Sequence, residues 1–159
     1  MAIHTLPRQD TGAHSAVTPP PKIILRRTGK KPLRFSGVCL CEATGYTRGG
    51  SFWYEVGLYR RETRGFVASV RLFTKSQGAQ DRHSAVRVDS LSAALDYLES
   101  YDVTADVRGS IKNQAKTAAP AQDMLRAARL RGAIARYQLA YDSVCTHVLY
   151  DMDAQNRVA

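Results

Sequence analysis

The chain has 159 residues, 44% hydrophobic and 23% charged, with a formal net charge of +9. That length gives one domain with appendages, or at most two small ones, of ordinary soluble globular composition. No window approaches the roughly 18 consecutive apolar residues that a membrane helix needs, so no membrane partner is expected. The first thirty residues hold no apolar run with a small-residue cleavage site. Three cysteines are too few for a disulfide framework, and a cytoplasmic protein is expected.

The charge is unevenly placed. Residues 1–36 carry seven Lys/Arg and one Asp, residues 37–104 eight basic and eight acidic residues, and residues 105–159 eight and five. The excess therefore lies in the flanks, and the central region is neutral, which shifts any electrostatic docking onto the arms.

Residues 1–21 are poor in large apolar groups and end in Thr18-Pro19-Pro20-Pro21, the composition of a disordered tail closing in a polyproline-like stretch. In Lys22 to Arg34, Ile23, Ile24 and Leu25 suit an edge strand. Arg26, Arg27, Lys30, Lys31 and Arg34 form a basic cluster broken by Gly29 and Pro32. Such a cluster attracts phosphate backbones without reading sequence, or serves as a solvated arm. The arm carries almost no core, so removing residues 1–31 should leave folding intact.

Leu33 to Thr44 is the next strand candidate, with Gly37 a bulge or bend. Its Cys39 and Cys41 project the same way on a regular strand and suit core packing; a zinc site would want a second pair. Phe52 to Lys75 is the strongest local signal, a β-hairpin around Glu62-Thr63-Arg64-Gly65. With period two, Phe52, Tyr54, Val56 and Leu58 join Phe66, Ala68, Val70 and Leu72 on an apolar side. The opposite side mixes Trp53, Tyr59 and Phe73 with Arg61, Arg71 and Lys75.

Ser76 to His83 is a polar loop, and Ser84 to Val88 a short strand with Val86 and Val88 inward. Ser90 caps a helix from Leu91 to about Tyr101, whose Leu91, Ala94, Leu95 and Leu98 share one face. Residues 22–104 are thus an α+β domain. Residues 105–119, without a strong period and containing Gly109, are expected to be a linker. A long helix over 120–150 begins at Pro120. Its stripe of Leu130, Ile134, Tyr137, Tyr141, Val144, Cys145 and Val148 needs either the domain or a partner to cover it, and self-association is one way to supply one. The expected architecture is a three- or four-stranded antiparallel sheet, a helix on one face, and this long helix.

Exposed aromatics beside basic groups are what single-stranded nucleic acid needs, because bases stack on rings while cations hold phosphates. If instead the long helix lay on that face, Trp53, Tyr59 and Phe73 would be a second core layer. Nothing suggests a cofactor, a metal or an enzyme: there is no phosphate-loop or dinucleotide fingerprint, and His83 beside Asp81 lacks convergent partners.

About four strands followed by a helix, ending in Ser90 and LSAALDYLES, resemble in layout the single-stranded nucleic-acid-binding modules of the Pur and Whirly families. That likeness covers about residues 33–102 and carries over no individual site residue. Trp53, Glu55, Leu58, Tyr59 and Arg60, with the later Gln77, Gly78, Asp81, Arg82 and His83, look like small uncharacterised proteins of bacterial plasmids and phages, which implies a mobile-element setting. The function expected is non-enzymatic nucleic-acid binding, to single-stranded DNA or RNA. Its sites are Arg26, Arg27, Lys30, Lys31 and Arg34 in the arm, with Trp53, Tyr59, Arg61, Arg71, Phe73 and Lys75 on the sheet. The alternative is a protein–protein interaction module, an inhibitor or adaptor with no nucleic-acid binding.

Overall fold

The computed structural model describes residues 18–111 and 120–158. Most of the expected tail, 1–21, lies outside those residues. The elements are β1 (Lys22–Arg27), β2 (Lys30–Thr44), β3 (Phe52–Arg61), β4 (Phe66–Thr74), β5 (Arg82–Val88), α1 (Leu91–Glu99), α2 (Val103–Ile111) and α3 (Pro120–Val158). The class is α+β. The sheet is an antiparallel meander of five strands in sequence order, one more than the largest number expected.

The extra strand is β1, where Ile23, Ile24 and Leu25 form the edge strand that their sequence suits. Ile23 pairs with Phe35, and Leu25 with Leu33, so the arm is a hairpin and not a loose extension. Its turn reaches across to the far strand, where the Thr28 amide donates to the His83 carbonyl and the His83 amide donates to Thr28 Oγ1, both at 2.8 Å. The sheet therefore curls until its first hairpin meets its last strand. Truncation at residue 31 would remove β1 with Leu25 from a core, contrary to the expectation that the arm is dispensable.

β2 makes the curl possible. Its first half pairs with β1 up to Ser36, and its second half pairs with β3 from Gly37 onward. At the changeover a Cβ on Gly37 would sit 2.2 Å from the Arg60 carbonyl oxygen, which only glycine avoids. The register then slips between Cys39 and Cys41, where the extra residue Leu40 reverses the facing of the residues after it. Cys39 is consequently exposed while Cys41 is buried, which corrects the expectation that they share a side.

The central hairpin has the register its alternation implies, from Phe52 opposite Thr74 to Arg60 opposite Phe66. Gly65 closes its turn at φ +80°, and a Cβ there would also meet the Val88 carbonyl oxygen at 2.5 Å. The apolar side forms the larger core with Ala94 and Leu98 of α1, Val103 and Val107 of α2, and Tyr141, Val144, Val148 and Met152 of α3. Ser90 caps α1, its Oγ accepting from the Ala93 amide at 3.1 Å. Helix α2 runs through the first part of the segment expected to be a linker, and the helix's Val103 and Val107 are part of that core; residues 112–119 are outside the described set.

Every residue of the α3 stripe belongs to or packs on this core, so the stripe is used within the chain. The helix runs to Val158, beyond the expected end near residue 150, and at 39 residues spans about 58 Å. Its first turns extend past the sheet, leaving Met124 and Leu125 exposed with Arg126 and Arg129. No described helix is long and apolar enough to cross a membrane.

Candidate nucleic-acid interface

Because α3 and both short helices lie on the even-numbered side of β3, the odd-numbered side becomes the inner face of the curl. Its two halves differ. Towards the Glu62–Gly65 turn, Leu25, Leu33, Phe35, Tyr59, Val67 and Ala85 close into a second, smaller core. Phe35 meets Tyr59 edge-on at 5.8 Å. Tyr59 is only 6% exposed, so it is not a free stacking platform as expected. The covering group is not α3 but the sheet's own first hairpin.

The other half is open. Trp53 and Phe73, cross-strand partners, stack at 5.3 Å with 18° between their planes, and both are half-buried. Tyr46, from the loop after β2, meets Trp53 edge-on at 5.0 Å, and His83 meets Phe73 the same way at 5.6 Å. The Lys75 ammonium stands 5.1 Å from the Tyr46 ring centre and 5.6 Å from that of Trp53. Four rings and one cation thus form a continuous group. An ammonium at these distances is attracted by the ring quadrupoles, which holds the lysine over the group.

Between the halves runs a band of charge. The Arg71 guanidinium pairs with Glu42 and, at 3.1 Å, with Glu55, while its buried Nε has no hydrogen-bond partner. Glu55 also accepts from Trp53 Nε1 at 3.3 Å, which fixes the indole's orientation. Arg71 is therefore neutralised in place, and its role here is to position Glu55 and through it Trp53. Arg61 lies beyond the second core, eight residues or about 26 Å along the strand from Trp53. It is half-buried with its Nε unpartnered, so it does not join the aromatic group.

The arm cations sit on the first hairpin. Arg26, Lys30, Lys31 and Arg34 are exposed; Arg27 is half-buried, its Nε donating to the Lys31 carbonyl at 2.8 Å. The Thr28–His83 contact places this hairpin's turn against the strand that carries His83. Burial lowers the imidazole's pKa, Asp81 opposes it, and Arg26 of the hairpin adds a smaller lowering. Of the expected residues, Trp53, Phe73 and Lys75 gather with the tip of the arm nearby, while Tyr59 and Arg61 lie apart.

Sequence reasoning misses Tyr46, His83, Glu42 and Glu55 as site members. Glu55 is visible through its alternation with Trp53. The sequence places His83 in a loop, and in the structure it lies on β5. Among the described residues no three His, Cys, Asp or Glu side chains converge on a metal-sized space. The Cys41 thiol, pushed up to about 11 by burial and then by its contact with Asp151, is held in its neutral form.

No family model, no curated protein and no solved structure matches this chain in comparisons with known proteins.

Proposed function

We propose that this protein binds single-stranded nucleic acid without catalysis, stacking bases on the Trp53–Phe73 pair while Lys75 and the cations of the first hairpin hold phosphates. The observation that carries the reading is that this stacked pair stays only partly buried beside a lysine, while the apolar stripe of the long helix covers the opposite side of the sheet. Ring faces of this kind accept any base, because every base has a π-face, and so imply little sequence preference. The acidic band of Glu42 and Glu55 limits how far a strand can run along the inner face, since phosphates there would meet carboxylates. That restricts the footprint to the open half and the tip of the arm.

Trp53→Ala tests this. Single-strand affinity is expected to fall by about 1–3 kcal/mol, the range for one lost stacking platform. Stability should fall less than the roughly 3–5 kcal/mol of a fully buried tryptophan, because the ring is only partly buried. A full-size loss of stability with unchanged or absent oligonucleotide binding would sink the reading and favour a protein-binding role for the same surface.

A further inference from the structure

Next to the aromatic group, on the far side of His83, the structure has a half-open cleft of about 380 Å³ between the tip of the first hairpin, β5 and the α1–α2 connection. We propose that this cleft seats the phosphate monoester of one nucleotide, with Arg27 and Lys30 as the phosphate ligands and the Tyr97 and Tyr101 rings as the wall for sugar or base. The volume falls at the small-ligand end of binding clefts, which suits a single nucleotide.

The charges decide the ligand class. Arg27, Lys30 and Arg82 line the cleft with Asp102 and Asp106. Arg82 and Asp106 cancel, being paired at 3.3 Å. Asp102 accepts from the Thr104 amide at 2.9 Å but keeps its negative charge, so the lining carries an excess of one positive charge. Arg27 and Lys30 make no ion pair among the described residues, so two cations face the opening. A free guanidinium and a free ammonium present more donors than the two oxygens of a carboxylate can take up, and match the several oxygens of a phosphate monoester better.

Several of the remaining polar side chains are already committed, and Thr28 keeps a donor. Tyr101 donates to Asp106, and Tyr97 shares a 2.5 Å hydrogen bond with Ser84, so both rings are locked. They meet edge to face at 6.0 Å. Thr28 Oγ1 accepts from the His83 amide and keeps its own hydroxyl proton to give to a phosphate oxygen. A free nucleotide could occupy the cleft independently of the aromatic group. A strand's 5′-terminal phosphate could do so as well, and that source rests on the strand-binding reading above, with His83 lining the cleft and touching Phe73.

The test uses the full chain with four probes: thymidine, thymidine 5′-monophosphate, and a dT oligonucleotide with a 5′-hydroxyl or a 5′-phosphate. The phosphate is expected to raise affinity by about ten-fold or more in at least one of the two pairs, as for a charge-assisted contact. Lys30→Glu, and separately Arg27→Ala with Lys30→Ala, should abolish that increment, thermal melts confirming that both variants fold. An increment in the mononucleotide pair alone supports the cleft with a free nucleotide as its source. One in the oligonucleotide pair supports it with a strand end. No increment in either pair overturns the proposal; if the oligonucleotides still bind equally, the strand-binding reading survives, and if none binds, both fall. An increment that persists in both variants also overturns it, because the phosphate then sits elsewhere.

Discussion

Asp106 is 3% exposed and receives three side chains: Tyr54 Oη at 2.9 Å, Tyr101 Oη at 3.0 Å and Arg82 Nε at 3.3 Å. Through them it joins β3, the α1–α2 connection and β5 to α2. Replacing it with alanine strands the Tyr54 hydroxyl, whose residue is fully buried, at about 1–3 kcal/mol. Tyr101 adds a similar but smaller amount, and Arg82, a third exposed, can turn to solvent. Asp106→Ala should therefore cost about 3–5 kcal/mol, a large part of a small domain's stability. Asp106→Asn keeps an acceptor and should cost about 1–3 kcal/mol. Burial raises the carboxyl's pKa above its ordinary value, and the hydrogen bonds from Tyr54 and Tyr101 only partly offset it. The folded state then holds its proton more tightly than the unfolded chain, so the wild type loses stability as pH rises from about 4 through the raised value. Asparagine cannot ionise, and the deficit of Asp106→Asn should shrink over that window. Urea melts of both proteins across pH 4–7 measure it. A deficit that grows with pH would mean that Arg82 governs the carboxylate instead of burial, and a cost below about 1 kcal/mol for alanine would refute the network.

Three further outcomes are expected from the packing. Leu98→Ala, at a fully buried position of the larger core, should cost about 2–5 kcal/mol in chemical denaturation. A chain lacking residues 1–31 should melt well below the intact protein, or not fold, because it loses β1 and the Thr28–His83 closure; an unchanged melting temperature would show that the second core is dispensable. Gly65→Ala should destabilise by at least 1 kcal/mol or so, the cost of an unfavourable backbone conformation, with more added by the Val88 carbonyl; thermal melts read it directly.

The hairpin of β3 and β4 and the cap of α1 are legible in the sequence because each depends on local chemistry: strict alternation, one glycine, one serine. The first hairpin is obscured by Pro32 and Gly29. Lys31 and Pro32 oppose the single residue Arg26, a bulge that accommodates the proline and breaks the expected pairing. The facing of Cys39 and Cys41 is not readable because nothing in the sequence marks Leu40 as the extra residue. α2 is hidden by a weak period, and its most consequential side chain, Asp106, points into the protein where polar residues are not expected. The split of the aromatic face is the deepest omission. Alternation places Trp53 and Tyr59 on one side, but whether a sheet side is open or closed depends on how far the sheet bends, and distant backbone pairing decides that.

The two cores lie on opposite sides of the sheet, and strands β2 to β5 contribute to both. Val56, Leu58, Ala68 and Val70 are sealed on the helix side, while Tyr59 and Val67 are sealed on the inner side of the same two strands. The first hairpin is tied to β5 by two hydrogen bonds at its turn and by Arg87 donating to the Arg34 carbonyl at 2.8 Å, and none of these three involves a helix. Native-state amide exchange should accordingly be slowest along β3 and β4. The Thr28 and His83 amides should exchange through a separate, lower-energy opening that exposes only the smaller core. The molecule would then breathe at one seam, and that seam borders both the aromatic group and the cleft.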